Sequence, residues 1–200
     1  MPKISDEKRA ARRAQILEAA WGCFQKEGLH ATTMDDIIRA SGLSAGAVYS
    51  YFPSKDQLIM AAVTASLSGL TSLVEPLLRA EPALAPPELV RRITDTIDRF
   101  TTRDGYDLKR IALLGWSEAQ RSEPLKATMK SFYFDFRSEL ASAVARWRRH
   151  KSDTTGNPES DVAATLLSLV LGYVVQSAIL DDVEPEGVTR GLERLTQPKG

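Results

Sequence analysis

The stretch from Thr32 to Lys55 leaves this chain little choice of fold. Thr33 is a good N-cap, and Asp36 three residues on is a shorter relative of the Glu that closes a capping box. Ile37 and Ile38 supply an apolar side. The helix opened there runs to Gly42, because glycine accepts the left-handed conformation that often follows a helix. Ser44 caps a second helix that begins Ala45, Gly46, Ala47, so small that its N-terminal end can lie almost flush against another surface. After Pro53, the run Ser54-Lys55-Asp56-Gln57 is a capping box for a third helix. Two short helices around a tight turn, with another following, make a helix-turn-helix.

A recognition helix enters the major groove with its N-terminal turn near the base edges, while hydroxyls and backbone N–H groups hold phosphates. On that geometry the predicted docking face is Thr33, Ser44, Ala45, Gly46, Ala47, Tyr49, Tyr51 and Lys55. The two tyrosines bring phenolic donors. Lys55 stands where its charge and the free N–H groups of a helix start can share one phosphate. The ordered set Phe24, Gly28, Thr33, Asp36, Ile37, Ala40, Gly42, Ser44, Gly46, Tyr49, Tyr51, Phe52, Lys55 and Leu58 resembles the DNA-binding motif of the TetR (tetracycline-repressor-like) family of transcriptional regulators. The resemblance implies an all-α fold, with an N-terminal three-helix unit carrying the helix-turn-helix over 1–53. A C-terminal helical bundle over 54–200 would form a ligand pocket and a dimer interface. The chain departs from the family at Ile38, often alanine, and at Ala45, often basic or polar. The docking mode is therefore implied and the sequence preference is not.

Two hundred residues suit two closely joined helical units with a sizeable core. Formal net charge is zero, so the case for DNA rests on local residues and not on a basic chain. The single cysteine, Cys23, has no intramolecular partner and shares a helical face with Ile16, Ala20 and Phe24. It reads as a small core residue in a reducing compartment. The N-terminal residues lack the apolar core of a signal peptide, which points to the cytoplasm, and residues 1 to about 8 are expected to be disordered. Lys8, Arg9, Arg12 and Arg13 either touch phosphate beside the motif or solvate a helix face.

From Ala10 to Lys26 the apolar residues recur at helical spacing until Gly28, giving a brace for the motif helices. The helix beginning at Lys55 continues through Leu70 as a connector between units, and Pro76 with Pro82 to Pro87 is expected to break or kink the chain. Further helices are predicted over Glu88–Arg103, Leu108–Gln120 and Pro124–Trp147, with a break at Gly105 and a loop over Ser152–Ser160. The run Arg146, Arg148, Arg149, His150, Lys151 reads as solvated cations complementing a helix C-terminus. Ile97, Phe100, Leu113, Trp116, Met129, Phe132, Tyr133, Phe136 and Val174 make an aromatic, flexible bundle interior. Each alone is core; together, with the family resemblance, they are the expected ligand pocket, with Glu118 and Arg137 as candidate polar walls.

Val162 to Leu180 is uncharged and long enough to span a membrane. Its flanks argue against that: Glu159 and Asp161 precede it, Asp181, Asp182 and Glu184 follow, and neither side is rich in Lys or Arg. A helix apolar all round must be covered all round, so one face is expected on the chain's own core and the other on a second copy. Leu171, Gly172, Val175, Ile179 and Leu192 are the predicted dimer contacts. The resemblance agrees, since regulators of this family dimerise through a four-helix bundle of their last two helices.

Two rival classes remain to be weighed. Gly42-Leu43-Ser44-Ala45-Gly46 matches a hydrolase nucleophile elbow, but that motif needs a strand before the serine, and here a capped helix precedes it. One Cys and two distant His residues offer no metal-ligand spacing, and no cofactor is implied. A helical scaffold that binds only proteins is the third reading, which a gel-shift titration separates. The expectation is a homodimeric regulator of double-stranded operator DNA, a repressor released by a small apolar or amphipathic effector, without membrane attachment.

Overall fold

The computed structural model describes residues 6–101, 107–151, 158–180 and 182–196. Among these residues there are nine α-helices and no strand: α1 (Asp6–Ala31), α2 (Met34–Ser41), α3 (Ala45–Tyr51), α4 (Lys55–Leu78), α5 (Pro86–Thr101), α6 (Leu108–Ala119), α7 (Glu123–Lys151), α8 (Glu159–Ile179) and α9 (Pro185–Thr196). The expected break at Gly105, the first five residues of the polar N-terminus, residues 152–157 of the expected loop and Asp181 lie outside the described residues. Glu159 and Ser160, assigned to that loop by their polarity, already belong to α8.

The local signals around the helix-turn-helix are realised atom by atom. Thr33 accepts a hydrogen bond from the Asp36 N–H, and the Asp36 carboxylate accepts from the Thr33 N–H, closing the capping box. Gly42 ends α2 at φ 67°, where a Cβ would be strained, and its N–H donates to the Arg39 carbonyl. Ser44 accepts from the Ala47 N–H and Ser54 from the Gln57 N–H, capping α3 and α4. Gly28, at φ 83° and ψ 165°, is non-helical, so the first helical run stops there as expected, and a short second turn carries α1 on to Ala31.

Two apolar cores are stacked along α4. The first joins Ile16, Ala20 and Phe24 of α1, Ile37 of α2, Val48 of α3 and Leu58, Ile59, Ala62 and Val63 of α4, and it also takes Ile111 from α6 and Leu125 and Met129 from α7. The second joins Val74 and Leu78 of α4 with Leu89, Ile93 and Ile97 of α5, Leu140 and Val144 of α7, and Val170 and Tyr173 of α8. Each fully buried Ile, Leu or Phe stabilises such a core by roughly 1.5–3 kcal/mol. The connector α4 thus belongs to both cores, and α6 reaches from one to the other.

Two expectations are corrected. Pro76 does not break the chain: it sits inside α4, which continues to Leu78 and closes with the Arg79 N–H donating to the Glu75 carbonyl. A proline this close to a helix end removes one hydrogen bond with only the last turn left to disturb. The break falls at 79–85, and Pro86 and Pro87 then open α5, where their missing N–H groups cost nothing. The cations at the end of α7 are not simply solvated either. Arg146 donates to the Leu78 carbonyl and faces Glu81, while Arg148 pairs with Glu159 at 3.5 Å, so both tie α7 to its neighbours.

Candidate functional site

The outer face of α3 is small and open. Ser44, Ala45 and Gly46 are exposed, Ala47 is half-buried, and Val48 is the anchor that fixes the helix to the first core. A Cβ built on Gly46 would meet nothing within 4 Å, so no internal packing asks for glycine there. Tyr49 points outward with 45% of its surface exposed. Tyr51, predicted beside it, is half-buried: it packs on the first core with the Arg9 guanidinium over its ring at 5.9 Å. Arg13 lies over the Phe52 ring at 5.1 Å. Two cations of the N-terminal run therefore staple α1 to the end of α3, a role that neither sequence reading of them contained.

Lys55 is engaged more deeply than its position at a helix start suggested. Its ammonium donates to the carbonyls of His30 at 3.1 Å and Thr32 at 3.0 Å, leaving one N–H for any further partner. Thr33 spends its hydroxyl on the Asp36 carboxylate at 2.6 Å. The hydrogen bonds from Thr33, side chain first and then backbone, together with the Arg39 guanidinium, hold the Asp36 carboxyl down at about 2.

The same segment is gripped from the other side by α6. The His30 Nε2 atom lies 3.4 Å from the Glu118 carboxylate and 3.3 Å from an Arg121 nitrogen. Glu118, expected at the wall of the ligand pocket, instead faces α1, and Arg137 lies over the exposed Phe134 ring at 5.0 Å. Chain-distant pairings of this kind carry no local signal, which is why sequence reasoning missed His30.

Further along, α4, α5, α6, α7 and α8 enclose a cavity of about 60 Å³. Seven of the nine predicted pocket residues line it: Ile97, Trp116, Met129, Phe132, Tyr133, Phe136 and Val174. Phe100 packs at the second core without lining the cavity, and Leu113 does not line it either. Leu171, predicted at the dimer interface, is part of this cavity wall. The polar feature is a short hydrogen bond from the Trp116 Nε1–H to the Tyr133 hydroxyl, 2.6 Å, whose own proton has no acceptor among the described residues. Burial raises the Tyr133 pKa, and the Trp116 donation partly offsets this, so the phenol stays neutral. Sixty cubic ångströms is far below the ~300–1,000 Å³ of a typical ligand site, so the cavity is nearly closed.

Ile179 on α8 is 65% exposed, with Gly172 and Val175 half-buried on the same outer stripe and Leu192 half-buried on α9. Only 28% of the most apolar stretch of α8 is buried within one chain. α4 and α8 are both long and apolar enough to match a membrane span by length and composition. A partly buried cluster beneath α8 was invisible in the sequence: the Tyr173 hydroxyl donates to Asp98 at 3.0 Å, and the Lys109 ammonium donates to the same carboxylate oxygen at 2.5 Å. Burial and the Asp98 carboxylate push the Tyr173 phenol up.

The hydrolase alternative lacks its geometry, since α2 and not a strand precedes Ser44, whose hydroxyl caps α3. Cys23 has its thiol pKa raised, by burial first and then by Asp36, as befits a protonated packing residue. No cluster of three potential metal ligands occurs among the described residues.

Comparison with known proteins points one way. The family model for bacterial regulatory proteins of the tetR family matches residues 16–62. The HTH-type transcriptional repressor Rv1474c of Mycobacterium tuberculosis is 37% identical over 183 residues, covering 86% of this chain and 84% of that one. The uncharacterized HTH-type transcriptional regulator YfiR of Bacillus subtilis is 29% identical over 190 residues, covering 80% of this chain and 92% of that one. In fold, a TetR transcription regulator from Haloarcula marismortui superposes with a TM-score of 0.76 at 19% identity, over 92% of this chain and 96% of that one.

Proposed function

Because the chain belongs to the tetR family of bacterial regulatory proteins, we propose that this transcriptional regulator is a homodimeric repressor released from operator DNA by a small apolar or amphipathic effector. The observation that carries the reading is the outward smallness of α3. Gly46 has open space around it and no internal reason to lack a side chain, which fits a helix end that must lie against a DNA groove. Thr33, Ser44, Ala45, Gly46, Ala47 and Tyr49 then form the contact surface. Tyr51 and Lys55 act mainly by holding that surface in place, with one Lys55 N–H left for a phosphate.

Residues 1–53 serve as the DNA-binding unit and 54–200 as the effector and dimerisation unit, with α4 passing between them. The apolar cavity at Trp116 and Tyr133 opens to admit the effector, and the unspent Tyr133 proton gives it one orienting donor. The uncovered stripe of α8 around Gly172, Val175 and Ile179 packs on its counterpart in a second copy, with Leu192 of α9 beside it. That accounts for an apolar helix that its own chain leaves only partly buried. The protein works in the cytoplasm, with α4 and α8 as bundle helices, and neither a cofactor nor a catalytic step enters the reading.

Selection of duplexes from a random pool tests it. The expected product is a partly two-fold-symmetric site with half-sites about one helical turn apart, roughly 34 Å. Failure to enrich any sequence would reject operator recognition and leave the protein-binding scaffold.

A further inference from the structure

The cavity beside Trp116 is not the end of the space between α4 and α7. Along the same seam a groove of about 280 Å³ opens to the surface between Thr71, Val74 and Leu78 on α4 and Phe132 and Phe136 on α7. Phe132 and Phe136 line both spaces, stacked with centroids 6.2 Å apart and planes 18° apart, so this pair of half-buried rings is the partition between them. Joined, the two spaces reach the lower end of the ~300–1,000 Å³ range of small-molecule sites.

The outer groove differs from the inner cavity in its charge. Glu75, Asp135 and Glu139 stand at its rim against one cation, Arg79, which is already paired with Glu75 at 2.7 Å. Asp135 and Glu139 have no hydrogen-bond or ion-pair partner among the described residues. Standing four residues apart on one helix, they also repel each other, a small cost to α7. The nearby cations of α7 do not relieve them. Lys130 and Arg137 lie over the Phe134 ring, on the opposite side of the helix from Phe132 and Phe136. An apolar channel with aromatic rings at its throat and two uncompensated carboxylates at its mouth is complementary to a cation with an apolar tail. The rings and the carboxylates both favour an ammonium head, and the inner cavity favours hydrocarbon.

We infer that the effector is a cationic amphiphile, whose tail passes between Phe132 and Phe136 into the inner cavity and whose ammonium rests at Asp135 and Glu139. The inference rests on the reading of the inner cavity as the effector site and adds the chemical class of its ligand.

Calorimetric titration of the full chain with decyltrimethylammonium, decanoate and decanol, each below its micellar concentration, decides it. The cation is expected to bind at least about tenfold tighter than either of the others. The Asp135→Asn/Glu139→Gln double variant should lose about tenfold for the cation and nothing for decanol. Ala112→Phe, which fills the inner cavity, should weaken the cation and the alcohol alike, with melting curves confirming the fold of both variants. Decanol or decanoate binding as tightly as the cation, or a double variant with unchanged cation affinity, would overturn the cationic assignment while leaving the inner cavity as an effector site. Binding of none of the three would overturn both.

Discussion

Asp36 shows how much one carboxylate decides at the entrance to α2. Its pKa is depressed to about 2, whereas an unfolded Asp titrates near ~3.9. A depressed value means that the stabilisation is fully present above the unfolded pKa and is lost as pH falls through the folded one. Thermal melts between pH 5 and 2 should therefore show wild type losing, from about pH 4 downward, a stability increment that Asp36→Ala lacks at every pH. Lys55 and Tyr49 separate in the same spirit. Lys55→Met keeps the stem but removes two charged hydrogen bonds, so it should cost stability by about 1–3 kcal/mol as well as DNA affinity. Tyr49→Ala, at an exposed site, should lower DNA affinity with stability unchanged within about 0.5 kcal/mol. Urea melts and a salt series of binding isotherms on both variants check this. Caps and glycines such as Thr33, Gly42 and Ser44 were legible because their partners lie within four residues. The Lys55 clasp spans 25 and 23 residues, so nothing local announced it.

Among the elements, α6 and α8 carry the heaviest demands. One side of α6 lines the cavity through Ile111, Gly115 and Trp116, while Glu118 in its last turn and Arg121 just beyond it hold His30. A ligand that pushes α6 outward therefore moves the segment that leads into α2. Glu118→Gln should leave ligand affinity unchanged and reduce the effect of that ligand on DNA binding; an unaltered coupling would mean that α4 alone transmits. For α8, Val175→Arg puts a charge on a stripe that lacks a partner, and sedimentation should show monomer where wild type shows dimer. The sequence revealed that α8 is apolar all round. It did not reveal that Leu171 turns inward to the cavity while Gly172, Val175 and Ile179 turn outward, since a uniform helix has no pattern from which to read a face. The corrections at Pro76 and Arg146 have the same origin, because each depends on where another helix lies.

For the whole molecule, release from DNA is a matter of differential affinity. An effector need only favour the non-binding arrangement by about 1–3 kcal/mol, and operator DNA must then weaken effector binding by the same factor. All of this presupposes that α3 docks on DNA through its small outer face, and Gly46 gives the most direct test. Space is open around it, so Gly46→Leu should fold like wild type, with stability raised by up to about 1 kcal/mol as glycine leaves a helix. Its affinity for the selected duplex, measured by fluorescence anisotropy at fixed salt, should fall more than about tenfold, the equivalent of roughly 1.4 kcal/mol. Wild-type affinity in a normally folded Gly46→Leu protein would contradict the docking of α3 on DNA.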